Sequence, residues 1–377
     1  MPRDELVPPP VPVSDPTSLY RIRDGVYAPD LLTVAVCDLD LFTWLVHREA
    51  HGDPPPDVAT IAAAHALDAR PVDVMVTYLT ALGLLRRTGD TLTPAPQARD
   101  HLAAGSPFDL RPYYASLRER PGCTELLGVL RTGRPAAWAS ATPIDHAGPT
   151  VGSHGQDWAG RLGDPAFAGT ITAAMDARGR YLAPALARAL TDLGARRVLD
   201  VVGSSGIYAA ALADGLGLTG TVFERPPVDT VARTLLADRG HADRIGVHTG
   251  DMLTDPLPGG HDLHLYSHVL HDWDAATVRH LLTASYAALE PGGHLVDHDV
   301  HVDADKTGPL PAAEYSVLLM HATPGKCWST GELTAMLTAA GFVDVTVRPT
   351  VADRSAVIAR KPGEHDSGPD EPVPAPR

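Results

Sequence analysis

The segment S-H-V-L-H-D-W-D places His268 and His271 three residues apart and sets Asp272 beside the second histidine. An imidazole titrates at about pH 6.5, so it takes a proton from a phenol near neutrality. Asp299, at the end of a later apolar run, is a carboxylate that holds one ring nitrogen while the other faces a substrate. The plainer reading of His271 is a helix-capping residue beside Asp272. Histidines crowd this part of the chain, at positions that include His261, His264, His294, His298, His301 and His321. By residue type, His298, Asp299 and His301 are conceivable metal ligands. Successive strand residues point to opposite faces, however, so they do not converge and no metal is expected.

A second group of residues lies upstream. Asp200 ends the apolar run R-V-L-D-V-V, which leads through Gly203-Ser204-Ser205-Gly206 into I-Y-A-A-A-L-A. The order is strand, turn, helix. The glycines alone say only that a tight turn needs their torsions. Glu224 ends the next apolar run, 18 residues after Gly206, where an acid suits a ribose diol. The turn after Asp200 carries neither G-x-G-x-x-G nor a P-loop, and Asp200 at the loop entrance opposes a pyrophosphate. A nucleoside ligand with positive charge in place of phosphate fits better, and S-adenosylmethionine is such a ligand. Asp251, in T-G-D-M-L, is placed to accept from an adenine amino group. The alternative is a loop inherited from a cofactor-binding ancestor and no longer used.

These residues require elements that bring them together. From about Ala195 strands alternate with helices, which implies a parallel sheet in an α/β fold. R-V-L-D-V-V, G-T-V-F-E, R-I-G-V-H, D-L-H-L-Y-S and H-L-V-D-H-D-V read as five strands, the last preceded by the turn L-E-P-G-G. V-D-V-T-V-R and A-V-I-A-R read as a closing hairpin pair. Before the sheet, L-L-T-V-A-V-C-D-L-D-L-F-T-W-L-V reads as one helix that is apolar nearly all round, with Phe42 and Trp44 suited to burial against a partner chain. Two further helices and the Gly-Asp turn in R-R-T-G-D-T-L-T-P complete a winged-helix pattern. Residues 31–105 carry nine acids and five bases, a net of −4, which is poor for binding DNA. A dimerisation module fits better.

The whole chain has 377 residues and a net charge of −15, which disfavours nucleic acid and anionic membrane as partners. No apolar stretch is long enough for a membrane span. Cys37, Cys123 and Cys327 lie far apart, as in a reducing cytoplasm. The expected organisation is a disordered tail (1–16), a winged-helix dimerisation domain (17–105), a helical linker and pocket cover (106–190), the α/β domain (191–361) and a second disordered tail (362–377). Residues 134–157, rich in Ala, Gly, Ser and Pro, read as a mobile loop.

The motifs V-L-D-V-V-G-S-S-G, F-E-R-P-P-V, G-D-M, H-V-L-H-D-W-D and L-E-P-G-G make the chain resemble the small-molecule O-methyltransferases of plant caffeic-acid and bacterial antibiotic-tailoring type, over residues 30–361. The resemblance implies a Rossmann-like class I methyltransferase domain behind a winged-helix domain that forms an intertwined homodimer. It implies S-adenosylmethionine as cofactor and a small hydroxylated aromatic acceptor. It places Asp200, Gly203, Gly206, Glu224, Arg225, Asp251, Met252 and Ser267 at the cofactor, with Arg178 on the cofactor's carboxylate. His271 matches the base and Asp299 its orienting acid. Met175, Met320, Cys327 and Asp272 fall on segments that line the acceptor pocket.

Three departures stand out. The family loop reads D-x-G-G-G-S-G, whereas Val202 and Ser204 replace two glycines here. Asp299 stands for a glutamate. Cys327, in G-K-C-W-S, stands where the family carries a second glutamate beside the base. Carbon methylation of a phenolic ring, or a reaction on this fold without methyl transfer, are the alternatives these changes leave open. A DNA-binding regulator is disfavoured by the acidic N-terminal region.

Overall fold

The computed structural model describes residues 12–136 and 163–363. Most of the two expected tails, and most of the expected loop at 134–157, lie outside the described residues.

The N-terminal half is helical with a small wing. Asp57 caps the helix Val58–His65 by accepting from Thr60 N–H at 2.7 Å, and Asp68 caps Ala69–Ala81 by accepting from Arg70 N–H. Each satisfies a donor that the first helical turn leaves open. The antiparallel strands β1 (Leu85–Thr88) and β2 (Thr91–Pro94) form the wing.

The single helix expected over residues 31–46 is two, Ala28–Cys37 and Leu41–Ala50. The break falls at Asp38–Asp40. Asp40 adopts a left-handed φ of 45°, and its carboxylate accepts from Thr43 and Arg111. Aspartate competes with the helix for its own backbone in this way. Phe42 is fully buried within the chain, as are Leu31, Val34 and Leu41. Their apolar surround comes from this chain's own helices, Pro121–Thr132 and Leu310–Ala322 among them. The all-round apolar face is therefore no argument for a partner.

The second half carries a seven-stranded sheet in the order β5-β4-β3-β6-β7-β9-β8. Its strands are β3 (Arg197–Val201), β4 (Thr219–Glu224), β5 (Ile245–Thr249), β6 (His261–Ser267), β7 (Leu289–Asp299), β8 (Val343–Pro349) and β9 (Ser355–Arg360). β5 to β7 run parallel, and β9 is antiparallel to both of its neighbours. L-E-P-G-G is a bulge inside β7 rather than a turn before it, because Leu289 pairs with His261 and His294 with Leu263. The chain leaves β3 for β4 on one side and later returns to β6 on the other. Open α/β sheets bind ligands at such a reversal, beyond the strands' C-terminal ends. The register Val201↔Tyr266 and Ser267↔His298 brings three of those ends level.

Candidate active site

A cavity of about 220 Å³ opens at these strand ends. Its floor is the loop after β3. Gly203 is required there, since a Cβ would sit 2.5 Å from the Asp200 carboxylate. Asp200 itself is fully buried beneath the loop, accepts from Ala209 N–H at 3.2 Å and does not line the cavity. Burial pushes its carboxyl up to about 7. Gly206, at φ 72°, caps the helix Ile207–Leu216 and faces Leu236. These two residues shape the loop rather than reach a ligand. Val202 and Ser204, the replacements for glycine, both hold positive φ, 56° and 51°. That conformation costs an L-residue about 1–2 kcal/mol, so the loop keeps the torsions glycine would take freely.

Glu224 at the end of β4 reaches the cavity. Its oxygens accept from Ser204 N–H (3.1 Å) and Arg225 N–H (2.9 Å). Burial pushes it up to about 7. Arg225, Asp251, Met252 and Ser267 also line the cavity. The buried hydroxyl of Ser267 has no partner, and buried polar groups seldom stay so. Backbone amides at a glycine turn, an acid at the second strand and an unmet hydroxyl suit an aminoacyl nucleoside such as S-adenosylmethionine.

His271 lies in the short 3-10 turn Leu270–Asp272 after β6. Its Nδ1 is 2.9 Å from Asp299 Oδ1 and 2.7 Å from Oδ2. A carboxylate only accepts, so Nδ1 carries a proton toward Asp299, and Nε2 is the ring nitrogen left for a substrate when the ring is neutral. Nε2 is 3.5 Å from Asp272 Oδ1, so the second carboxylate beside the imidazole is Asp272. Burial alone pushes the ring down, but Asp299 and then Asp272 outweigh it, and His271 stands above its ordinary value. Burial pushes Asp272 up to about 6.

His268 also approaches Asp299, with Nδ1 3.1 Å from Oδ1. Buried completely, it is held well below the usual imidazole range and is neutral. His268, His271 and Asp299 are the one set among the described residues with donor atoms close enough for a metal. The distances are those of two imidazoles sharing one carboxylate. His298 instead contacts Thr350, and His301 contacts Asp297, so the trio named from sequence does not converge.

Met175 and Arg178 line the cavity from the helix Pro165–Ala189. Two expected lining residues do not. Met320 is fully buried in the N-terminal core, because its helix turns that face toward Ala28–Cys37 and Ala69–Ala81. Cys327 packs against Val300, Val302 and Leu319, its N–H donates to Ser316, and burial raises its thiol well above the usual range. It is an inert core thiol. Tyr315, edge-on to His271 at 5.6 Å, was not singled out from sequence, since one tyrosine in a run of apolar helix residues signals only a core.

The fold and site define a nucleoside-dependent group transferase, and the comparisons name its family. Residues 151–343 match the O-methyltransferase domain family. The 3-hydroxy-5-methyl-1-naphthoate 3-O-methyltransferase of Streptomyces sahachiroi is 31% identical over 354 residues, covering 91% of this chain and 94% of that one. The N,N-dimethyltransferase OxyT of Streptomyces rimosus is 30% identical over 78% of this chain and 81% of its own. A family 2 O-methyltransferase from Planctomyces limnophilus, solved in complex with apigenin, superposes with a TM-score of 0.79 at 28% identity, covering 96% of this chain and all of that one. The chain belongs to the S-adenosylmethionine-dependent O-methyltransferase family.

Proposed function

We propose that this enzyme methylates a hydroxyl group on a small aromatic natural product, with His271 as general base. The observation that carries the reading is His271 on the cavity wall with its Nδ1 2.7–2.9 Å from Asp299, which leaves Nε2 for the acceptor. Gly203, Glu224, Arg225, Asp251, Met252 and Ser267 would hold the cofactor, whose sulfonium supplies an electrophilic methyl group. The acceptor hydroxyl gives its proton to His271 Nε2 as its oxygen gains the methyl. Asp299 keeps the ring in the reactive tautomer. The apolar lining around Met175, Val269 and Leu319 excludes water and orients the arene. The naphthoate acted on by the Streptomyces sahachiroi relative supports a bicyclic acceptor.

We divide the chain into an N-terminal helical and winged unit (17–105), a segment (106–190) whose helix Pro121–Thr132 packs on that unit and whose helix Pro165–Ala189 lines the cavity, and a catalytic unit (191–361). Exposed Phe108, Leu110 and Tyr113 support a homodimer through the N-terminal region. Unpaired cysteines support a cytoplasmic setting, and no helix among the described residues is long and apolar enough to cross a membrane.

The test is incubation with S-adenosylmethionine and a panel of hydroxynaphthalenes, followed by NMR of the product. A new O-methyl resonance with stoichiometric S-adenosylhomocysteine is expected, and His271→Ala lowers kcat about 10²–10⁴-fold. A ring C-methyl or N-methyl product overturns the assignment to oxygen. Substrate loss without S-adenosylhomocysteine overturns methyl transfer.

A further inference from the structure

His268, three residues before the base, has no part in the chemistry above. Its side chain is fully withdrawn from solvent, so the residue meets the cavity through its backbone. The chain leaves β6 at this point. The His268 N–H donates to His298 O at 3.1 Å, and its φ is a left-handed 58°. Such a torsion is uncommon outside glycine and persists where the surroundings hold it. The ring lies beside Asp299, with Nδ1 3.1 Å from Oδ1. Its Nε2 is buried without a partner.

Asp299 is therefore shared. Val300 N–H donates to its Oδ1 at 2.7 Å, and the imidazoles of His271 and His268 flank it. The other titratable groups facing this trio are Asp272 on the same turn, Arg178 from the helix Pro165–Ala189, Tyr315 from Leu310–Ala322, Arg354 before β9, and Asp297 and His298 on β7. Among the described residues none of these six makes a hydrogen bond or ion pair with Asp299. Burial keeps the His268 ring neutral, and the charge of Arg178 works the same way. A neutral imidazole has one N–H. On Nε2 that proton would be an orphaned buried donor, and a lone pair would face the carboxylate. On Nδ1 it meets Asp299. The approach is bent rather than linear, so the contact acts as a dipole on a charge.

We propose that His268 is a positioning residue, whose Nδ1–H shares Asp299 with His271 so that the base receives only part of the carboxylate's attraction. This rests on the reading of His271 as the base, and His268 acts through Asp299 without touching a substrate. Asp299 favours the protonated His271. A second donor on Asp299 weakens that preference and enlarges the neutral, working fraction of the base near neutral pH.

The experiment follows the His271 ring by NMR titration in the protein loaded with S-adenosylhomocysteine, which needs no acceptor. His271→Asn identifies the signal. His268→Leu should tighten proton binding by His271 about threefold or more, and the acid limb of kcat/KM should move to higher pH with it. His268→Asn carries an N–H at the place of Nδ1 and tolerates the left-handed torsion, so it should return the titration toward the wild-type value. A merely structural histidine would lower the melting temperature and leave the ionisation where it was. In the wild type, ring nitrogen shifts should show His268 neutral with its proton on Nδ1, a measurement that depends on no variant folding. A proton on Nε2 overturns the proposal. So does an unmoved or weakened proton affinity of His271 in His268→Leu, or a His268→Asn variant that titrates like the leucine one. A titration that EDTA shifts overturns it too, since the trio would then be a metal site. If the ionisation moves as expected while no arene is methylated, the methyl-transfer reading fails and the shared carboxylate stands.

Discussion

At His271 two carboxylates act on one imidazole from opposite sides. Asp299 holds Nδ1 at 2.7–2.9 Å, and Asp272 stands 3.5 Å from Nε2. Both favour the protonated ring and together overcome the effect of burial. A general base works only when neutral, so activity is lost as pH falls through the raised value. The acid limb of kcat/KM against pH is therefore expected above the ordinary imidazole value of about 6.5. Asp272→Asn removes one of the two attractions, so its limb should move to lower pH with the folded structure retained. An unmoved limb would assign the ionisation to another group. Val202 and Ser204 belong to this scale too. The loop accepts their strain because Gly203 and Gly206, on either side of Ser204, keep the two positions where a side chain meets Asp200 or Leu236.

The 3-10 turn that carries His271 has little internal hydrogen bonding and is held from outside. Trp328 Nε1–H donates to Leu270 O at 3.0 Å. Gly325 packs so closely on the His271 carbonyl that an added Cβ would collide with it. Arg70, from the N-terminal half, in turn donates to Gly325 O at 2.8 Å. Gly325→Ala should therefore displace the imidazole by a fraction of an ångström or more, which lowers kcat about 100-fold. The cofactor residues lie on other elements, so calorimetric affinity for S-adenosylhomocysteine should stay within about threefold. Equal loss of both would mean that this glycine supports the whole fold instead. On the other wall, Gly179 lets the helix bearing Met175 and Arg178 lie against Ile207, at the start of the helix after the glycine loop.

Across the whole molecule, the two halves share more than a linker. Asp73, on the N-terminal helix Ala69–Ala81, bonds Lys306 (2.9 Å) and Lys326 (2.5 Å), and Glu332 bonds the same two lysines (2.8 and 2.7 Å). Two acids and two bases form a closed, largely buried ring. Burial opposes the Asp73 charge, yet the lysines hold it below its ordinary range. Asp73→Asn leaves two ammonium groups on one carboxylate and should cost about 3 kcal/mol of stability, read from the urea midpoint. Adding Lys306→Met should recover part of that loss by restoring balance. An unchanged midpoint in the single variant would show that the ring contributes nothing to joining the halves.

By itself the sequence determined what short-range order can encode. Alternation of apolar runs with glycine turns identified five parallel strands, and the positions of Glu224, Asp251 and His271 at strand ends followed, because a strand's end is fixed by the few residues around it. The H-D-W element and the spacing to Asp299 were legible for the same reason. Tertiary structure alone decided where long helices turn their faces. Met320 went to the N-terminal core and Cys327 behind the site, while Tyr315 came to His271. Asp272 and not residue 327 became the second acid, and Asp38–Asp40 broke a helix that apolar periodicity alone would continue. The placements of Met320, Cys327 and Tyr315 depend on packing between segments from tens to hundreds of residues apart, which no local pattern records.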